Sequence, residues 1–346
     1  MHIYKKRSFA WAPALGPAFL LLAACSNSGS AQLPATGNAG GMPSQFVSMD
    51  DRAPAMRPNA TGKLVFVDPM VVAAQVYVAS YDASGSTPVD DYHANDSKNN
   101  GHFCQIKSVG EGINALGVDA SDELWVPQGL DLKSGKADIV SYAPNCGAEG
   151  TTLSDAKGQP AGIAFAPDGT RYVNNINGPS STAGNVAVYP KGKTKPTRFL
   201  TNAQVFYANG IGVDSKGNVY LSFFSADSTT GVVKFKGGQM PGTLLGKIKN
   251  GAPGAITFDK ADNLIITDDA AVTLNFYAPP YDKVPKVYPL QGHSPQCSLN
   301  HAQTNLACGD KTNTSVDVFA YPAGTYLYSF NKGLTATVIG TVQDPP

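Results

Sequence analysis

Amide, carboxylate and imidazole side chains stand at the ends of short apolar segments in several parts of the chain. The candidates for ligand binding are Asn114, Asn209, Asp68, Asn174, Asn175, Asp268, Asp269, Asp310 and His293. Oxygen atoms of these types bind hard divalent cations such as Ca²⁺, and polar residues on loops also make recognition surfaces. Asp and Asn equally cap turns without any ligand. The positions of these residues in the strands and loops bear on whether they bind a ligand or only cap turns.

Four similar segments position most of these residues. Each has a small residue, a short alternating strand, a tight turn with Asp, Gly or Asn, and a second strand: 115–126, 162–173, 210–221 and 254–266. A weaker fifth copy spans 297–306. Copies that recur about every 41 to 48 residues, with several strands in each, are typical of β-propeller blades.

A later strand in each unit ends in an aromatic residue and gives the number of blades. Six such strands are predicted, at Val76–Tyr81, Asp138–Tyr142, Asn185–Tyr189, Val232–Phe235, Val272–Tyr277 and Ser315–Tyr321. A fourth strand is expected after each of them, and six units of about 47 residues fill the chain from residue 64 onwards. The sequence therefore predicts an all-β, six-bladed β-propeller at residues 63–346.

The two ends of this region are expected to form one blade together. Leu64–Asp68 has the pattern of a second strand with no first strand before it. Leu334–Ile339 has the pattern of a first strand with no second strand after it. Pairing these terminal strands closes the ring and removes free sheet edges, which otherwise favour aggregation.

The N-terminal residues have the composition of an export signal. A basic run, Lys5–Arg7, precedes a short apolar stretch, Phe9–Leu22, which is too short for a good transmembrane span. The stretch ends in Leu-Ala-Ala-Cys at Leu22–Cys25, which resembles the lipobox of bacterial lipoproteins. That resemblance implies a signal peptide at residues 1–24, cleavage before Cys25 and lipid attachment to the Cys25 thiol. The alternative is an ordinary secretory signal with an incidental cysteine.

The residues that follow Cys25 indicate where the protein is held. In lipoproteins an Asp after the lipidated Cys favours the inner membrane, so Ser26 implies the outer membrane, on its periplasmic or surface side, of a cell with two membranes. In a cell with one membrane it implies the outer face of that membrane. Residues 25–62 are rich in Ser, Asn, Gly, Pro, Ala and Gln and are expected to form a flexible tether. A strand within them is the alternative.

Composition argues against several classes of protein. Charged residues make up only 15% of the 346-residue chain, with 26 bases against 26 acids. Removal of residues 1–24 leaves 23 bases against 26 acids, a formal charge of −3. This balance argues against nucleic-acid binding through a broad basic surface, and the 36 Gly and 25 Pro argue against coiled coils and helix bundles. A monomer that contacts the membrane only through its lipid is expected.

Four cysteines remain beside Cys25, and an even number in an exported chain predicts two disulfides. Three pairings are open to Cys104, Cys146, Cys297 and Cys308. The turn of the fifth repeat places Cys297 opposite Cys308, which favours that bond and leaves Cys104 to pair with Cys146 between neighbouring blades. Unpaired buried thiols are the alternative, whereas the lack of a Cys-x-x-Cys spacing disfavours a metal site.

The repeats resemble those of NHL-type and gluconolactonase/regucalcin-like six-bladed propellers. The clearest copy is Gly-Ile-Gly-Val-Asp-Ser-Lys-Gly-Asn-Val-Tyr at Gly210–Tyr220. The gluconolactonase-like resemblance implies a divalent metal held by an Asn, an Asp and a Glu from segments that lead into first strands. Asn209 matches the Asn, but Pro253 stands where the Asp is needed. Other equivalent positions hold Asn114, Ala161 and Ser294, and the last repeat offers no Glu.

This incomplete ligand set favours a non-catalytic binding or scaffold module over an enzyme. We expect a lipid-anchored propeller of the cell envelope that recognises a protein, peptide or glycan. The alternative is a metal-dependent, lactonase-like hydrolase or a lyase of the same propeller class. A calcium-like divalent cation is the one cofactor that the pattern leaves open, with Asn209 as its weak candidate ligand.

Overall fold

The computed structural model describes residues 56–58, 64–66, 75–81, 88–94, 97–106, 115–131, 136–155, 158–178 and 183–343. The expected signal peptide, Cys25, Asp68, Asn114 and all of the tether before residue 56 lie outside these ranges. Apart from a single-turn 3-10 helix at Lys236–Gly238, the described elements are β-strands. No helix in the described part of the chain is long and apolar enough to span a membrane.

Six four-stranded antiparallel sheets form the blades of a β-propeller, as the repeats predict. The strands of blade 1, from first to fourth, are Thr337–Gln343, Gln75–Tyr81, Val89–His93 and Cys104–Ile106. Those of blade 2 are Gly117–Val118, Leu124–Asp131, Lys136–Tyr142 and Glu149–Ser154. Those of blade 3 are Pro160–Phe165, Arg171–Asn175, Asn185–Tyr189 and Arg198–Leu200.

The other three blades each come from one continuous stretch of chain. The strands of blade 4 are Tyr207–Val213, Val219–Phe224, Thr230–Phe235 and Thr243–Leu244. Those of blade 5 are Pro253–Phe258, Leu264–Asp268, Thr273–Tyr277 and Lys286–Pro289. Those of blade 6 are Cys297–Leu299, Asn305–Asp310, Ser315–Ala320 and Thr325–Phe330.

Core packing lies between the blades, because the middle strands of each sheet are covered on both faces. Every residue of Asn185–Tyr189 and of Leu264–Asp268 is buried. The first strands approach one another so closely that some positions accept only glycine. A Cβ atom on Gly210 in blade 4 would lie 2.2 Å from the carbonyl oxygen of Gly254 in blade 5. Small residues at the start of each repeat therefore allow the ring to close.

An aspartate at the end of the first strand organises the turn into the second strand. In blade 4, Asp214 Oδ1 accepts hydrogen bonds from the backbone N–H groups of Lys216 and Asn218, at 3.0 and 2.8 Å. Asp214 Oδ2 accepts from Asn218 Nδ2 at 2.7 Å and from Tyr220 Oη at 2.9 Å. The Asp, Asn and Tyr of the repeat pattern thus form one hydrogen-bonded unit.

The ring closes through a terminal strand, but the expected partner of that strand was wrong. Thr337–Gln343 pairs with Gln75–Tyr81, which is therefore the second strand of blade 1 and not the third. Leu64–Phe66 pairs instead with Met56–Pro58 in a separate two-stranded sheet. The true third strand, Val89–His93, was missed because the consecutive carboxylates of Asp90 and Asp91 break its apolar pattern, although both are buried.

The two-stranded sheet belongs to a small unit of its own, since the chain divides between Val67 and Asp68. Its first strand, Met56–Pro58, lies in the segment expected to be a tether, and its second strand is Leu64–Phe66. The three paired positions run from Met56 opposite Phe66 to Pro58 opposite Leu64.

Side-chain hydrogen bonds fasten the closing strand to its neighbours. Gln296 Oε1, in the segment that leads into blade 6, accepts from the backbone N–H groups of Leu116 in blade 2 and Thr341 in blade 1, each at 3.0 Å. Asn99 Oδ1 accepts from the N–H groups of Asn331 and Lys332, at 3.0 and 2.7 Å, just before the closing strand. Blade 1 is therefore tied on both sides.

Both expected disulfides are present. Cys297 and Cys308 face each other on the first two strands of blade 6, with their Cα atoms 4.1 Å apart. Cys104, in the fourth strand of blade 1, bonds to Cys146, in a turn of blade 2, with Cα atoms 6.0 Å apart. The second bond therefore links two neighbouring blades.

Candidate functional site

The upper face of the propeller, as named here, is the face on which each first strand begins and each second strand ends. The segments between blades and the loops after second strands lie on it. The turns that join first to second strands, which Asp214 caps in blade 4 and Asp259 caps in blade 5, lie on the opposite, lower face and are called the Asp-capped turns. Of the sequence-predicted candidates, Asn174, Asn175, Asn209, Asp268, Asp269, Asp310 and His293 are described, and all of them belong to the upper face.

Asn174 and Asn175 end the second strand of blade 3 and are both completely buried. Asn174 Nδ2 donates to the carbonyl oxygen of Ala208 in blade 4 at 3.1 Å. Asn175 Nδ2 donates to Asp155 Oδ2 and to Asn185 Oδ1, each at 2.9 Å. These amides join blades 2, 3 and 4 beneath the surface, so neither residue contributes to an exposed recognition surface.

Asn209 is half-buried, and its Nδ2 donates to the carbonyl oxygen of Pro253 in blade 5. The amide thus bridges two blades at the position where the resembling lactonases hold a metal ligand. The equivalent positions Ala161 and Pro253 carry no side-chain oxygen, and Ser294 donates its hydroxyl to the carbonyl oxygen of Gln296 at 3.2 Å. The described residues therefore do not fit the lactonase-type metal.

Among the described residues, three potential metal-ligating atoms lie within 4.8 Å of one another on Asp91, Cys104 and Cys146. Both cysteines of this group are in the disulfide between blades 1 and 2. A thiolate is the form of cysteine that ligates a metal, so this group does not make a metal site while the disulfide is intact.

Asp268 and Asp310 are buried turn caps at the ends of second strands. Asp268 Oδ2 accepts from the N–H of Gly251 at 2.7 Å, and its Oδ1 accepts from the N–H of Ala252 at 3.0 Å. Asp310 Oδ1 accepts from the N–H groups of Thr312 and Asn313, at 2.7 and 2.9 Å. These bonds fix the loops of the upper face and leave little of either carboxylate exposed.

A second carboxyl group lies beside Asp310 inside blade 6. Asp317 is buried on the third strand and accepts a hydrogen bond from Ser315 Oγ at 3.4 Å. Burial, and then the neighbouring Asp310 carboxylate, raise the pKa of Asp317 to about 7. The neutral form of Asp317 is therefore favoured in the folded protein up to about neutral pH.

Asp269, His293 and Lys311 form a charged cluster across blades 5 and 6. Lys311 Nζ makes an ion pair with Asp269 Oδ2, and His293 Nδ1 lies 3.4 Å from Asp269 Oδ1. His293 Nδ1 also lies 2.7 Å from the carbonyl oxygen of Asp269. Asp269 and His293 were both predicted from sequence as candidates, and the structure brings them together with Lys311, which was not predicted.

An exposed aromatic pair, Phe206 and Tyr207, lies on the upper face at the junction of blades 3 and 4. Their ring centroids are 4.6 Å apart in an edge-to-face arrangement, and the residues are 37% and 42% exposed. The backbone N–H of Phe206 donates to the carbonyl oxygen of Phe224 at 2.9 Å. This pair was not predicted from sequence, although two adjacent aromatics, separated from Asn209-Gly210 only by Ala208, break the alternating pattern and could have revealed it.

Comparison with known proteins supports the architecture and no finer assignment. No known protein family and no curated protein matches the chain. Among solved structures, a chain from the crystal structure of a nidogen/laminin complex is similar, and the alignment covers 79% of this chain and 98% of that one. The TM-score is 0.63 and the sequence identity is 17%. This likeness shows the fold alone, because one fold hosts many functions.

The upper face therefore has a buried hydrogen-bonded layer and, above it, an exposed aromatic pair and an exposed charged cluster. Buried amides and carboxylates hold its loops in place, whereas the aromatic pair and the charged cluster reach solvent. Rigidly held aromatic side chains lose little conformational entropy when a partner covers them. The described arrangement suits recognition of a partner by this face.

Proposed function

We propose that the protein is a non-catalytic binding module of the cell envelope, held at the membrane by lipid on Cys25. Its upper face recognises a partner of the envelope, whether protein, peptide or glycan. The observation that carries this proposal is the exposed pair of Phe206 and Tyr207. Clustered aromatic residues on a preformed surface are frequent anchors of binding.

The surroundings of the pair support the same role. Phe223 is buried, so the second strand of blade 4 anchors the site in the core. Phe224 is half-buried, and its carbonyl oxygen accepts a hydrogen bond from the backbone N–H of Phe206. The nidogen/laminin structure belongs to a protein complex, which makes a protein partner the first to test. Anchoring through Cys25 would keep the protein among the other components of the envelope.

The experiment is affinity capture from an envelope fraction with the unlipidated domain, comparing the native protein with the double variant Phe206→Ser, Tyr207→Ser. The control is Tyr326→Ser, Leu327→Ser, which removes two exposed apolar residues from the outer strand of blade 6. We expect a component that the native protein and the control capture and the first variant does not. Equal capture by all three proteins would contradict the proposal.

Two further treatments identify the class of partner. Protease digestion of the fraction before capture removes a protein or peptide partner, and periodate oxidation removes a glycan. Lipid attachment is tested separately, since Cys25→Ser should release the protein from membranes without changing capture by the isolated domain.

A further inference from the structure

A half-open cavity of about 220 Å³ lies on the lower face, between blades 4 and 5. At about 30 Å³ for each water of the liquid, it has room for about seven water molecules. Its polar side is formed by the Asp-capped turns of the two blades and by Lys234. Its apolar side is formed by Leu245, Pro279, Pro280 and Tyr281. The cavity thus has room for one small molecule.

The acceptor atoms of the cavity are already used by the protein. Asp214 accepts four hydrogen bonds, including those from Asn218 Nδ2 and Tyr220 Oη. Asp262 accepts from the N–H and the hydroxyl of Ser215, each at 2.9 Å. Acceptors that are satisfied in this way gain little from a ligand that brings further donors.

Lys234 is in the opposite situation. Its side-chain ammonium makes neither a hydrogen bond nor an ion pair with the described residues, and Nζ lies over the rings of Tyr220 and Tyr281, 5.1 and 5.9 Å from their centroids. The ammonium group has three N–H donors, and ring faces attract the cation without accepting all of them. Lys216 adds a second cation at the rim, where its side chain is 76% exposed and only 3.8 Å from Asp262 Oδ2.

On the apolar side of the cavity, Tyr281 has an unfavourable backbone conformation. Tyr281 has a φ of 70°, in the left-handed region that non-glycine residues rarely adopt. Its hydroxyl donates to the carbonyl oxygen of Asp262 at 2.8 Å, and the residue is 5% exposed. Such outliers persist where the surrounding structure imposes them, and they are frequent at ligand sites.

We propose that this cavity binds a small carboxylic acid with an apolar body. The carboxylate accepts hydrogen bonds from Lys234 and is approached by Lys216, and the apolar body lies against Leu245 and Tyr281. An inorganic anion would leave the apolar side uncovered, and a neutral molecule would leave the Lys234 donors unmet. The site lies on the face opposite the aromatic pair, so it goes beyond the binding role proposed above and does not depend on it.

The test is titration of the unlipidated protein with 4-fluorobenzoate, followed by ¹⁹F NMR, with 4-fluorobenzamide and inorganic phosphate as competitors. We expect 4-fluorobenzoate to bind with a Kd below about 10 mM and each competitor to bind about tenfold more weakly. Phosphate that competes as well as the carboxylate does would contradict the role of the apolar wall. A lack of 4-fluorobenzoate binding would overturn the proposal.

Variants locate the site. Lys234→Met should weaken 4-fluorobenzoate binding about tenfold or more, and Lys216→Met about threefold, because its ammonium is more exposed. The matched control is Lys286→Met, since Lys286 Nζ also lies over a ring, 4.5 Å from the Tyr288 centroid, but outside the cavity. Unchanged binding by both cavity variants, or equal loss in the control, would overturn the proposal. If Lys234→Met fails to fold in a thermal melt, Lys216→Met decides.

Discussion

Tyr321 of blade 6 donates its phenolic hydroxyl to the Asp259 carboxylate of blade 5. In blade 4 the equivalent carboxylate, Asp214, receives its phenol from Tyr220, six residues later in the same repeat. Blade 5 has Ile265 at that position. Ile265 has no hydroxyl to donate, so Tyr321 of the next blade supplies the hydrogen bond to Asp259. This hydrogen bond is therefore a contact between two blades.

Tyr321→Phe should destabilise the protein by about 1–2 kcal/mol, because it removes one donor from a largely buried carboxylate. Burial, together with the Asp259 carboxylate, raises the pKa of Tyr321, so the phenol is neutral in the folded protein. The stability that depends on the neutral phenol should be present below pH 10 and decrease at higher pH. Urea unfolding measures both effects, with the exposed Tyr326→Phe as the control. Equal stability of the two variants would contradict the role of the contact.

Asp317→Asn should remove a pH dependence of stability. The folded-state pKa of Asp317 is raised to about 7, so its neutral form stabilises the fold at low pH and this contribution is lost as pH rises from about 4 to 7. At pH 8 the free energy of unfolding of the variant should exceed that of the native protein by on the order of 2 kcal/mol. This is about half the free energy that corresponds to the full shift of the Asp317 pKa. The two should converge at pH 4. A control, Asp227→Asn, replaces a fully exposed carboxylate, and a difference for Asp317→Asn that did not vary with pH would refute the explanation.

Asn175→Asp should destabilise the junction of blades 2 and 3. The native amide donates to Asp155 Oδ2, whereas the new carboxylate would lie beside that charge without a donor, at a cost of about 3 kcal/mol or more at pH 7. Partial recovery is expected near pH 4, where one of the carboxyl groups is protonated. The control Asn177→Asp, on the following loop, makes the same chemical change at a half-buried position. Its free energy of unfolding should stay within about 0.5 kcal/mol of the native value. Similar thermal melts for both variants would count against the buried network.

The two disulfides should differ in their contribution to stability. Cys104 and Cys146 are 42 residues apart, whereas Cys297 and Cys308 are 11 apart. A longer loop restricts the unfolded chain more, so loss of the first bond should cost about 1 kcal/mol more than loss of the second. Guanidinium unfolding of the two Cys-to-Ala double variants measures the difference. The reverse order would show that strain or residual structure, and not loop length, dominates.

The number of blades, the order of the strands within five of them and the Cys297–Cys308 bond could be predicted from sequence, because each depends on local patterns. The Cys104–Cys146 bond followed as the pair that remained. Turn residues and alternation repeat about every 45 residues, and the register of one hairpin places Cys297 opposite Cys308. Blade 1 was harder, because its third strand contains Asp90 and Asp91, whose burial depends on contacts that no local pattern reveals.

The exposed sites were harder still to predict. Asn174 and Asn175 look like loop residues in sequence, but they are buried because blades 2 and 4 cover them. The cavity around Lys234 is formed by turns and strand ends of two blades, and only their packing shows that this lysine has no acidic partner in the part of the chain that the structure describes. Sequence patterns indicated which residues are polar, whereas packing determined which of them a ligand can reach.

Ring closure also sets an order of events during synthesis. Tyr92 and Lys332, joined by a hydrogen bond beside the closing strand, are 240 residues apart in the chain. A ribosome makes the second, third and fourth strands of blade 1 early, but the strand that completes their sheet is made after all the other blades. The growing chain therefore carries an unfinished sheet until Thr337–Gln343 has been made, and the edge of Gln75–Tyr81 stays unpaired until then.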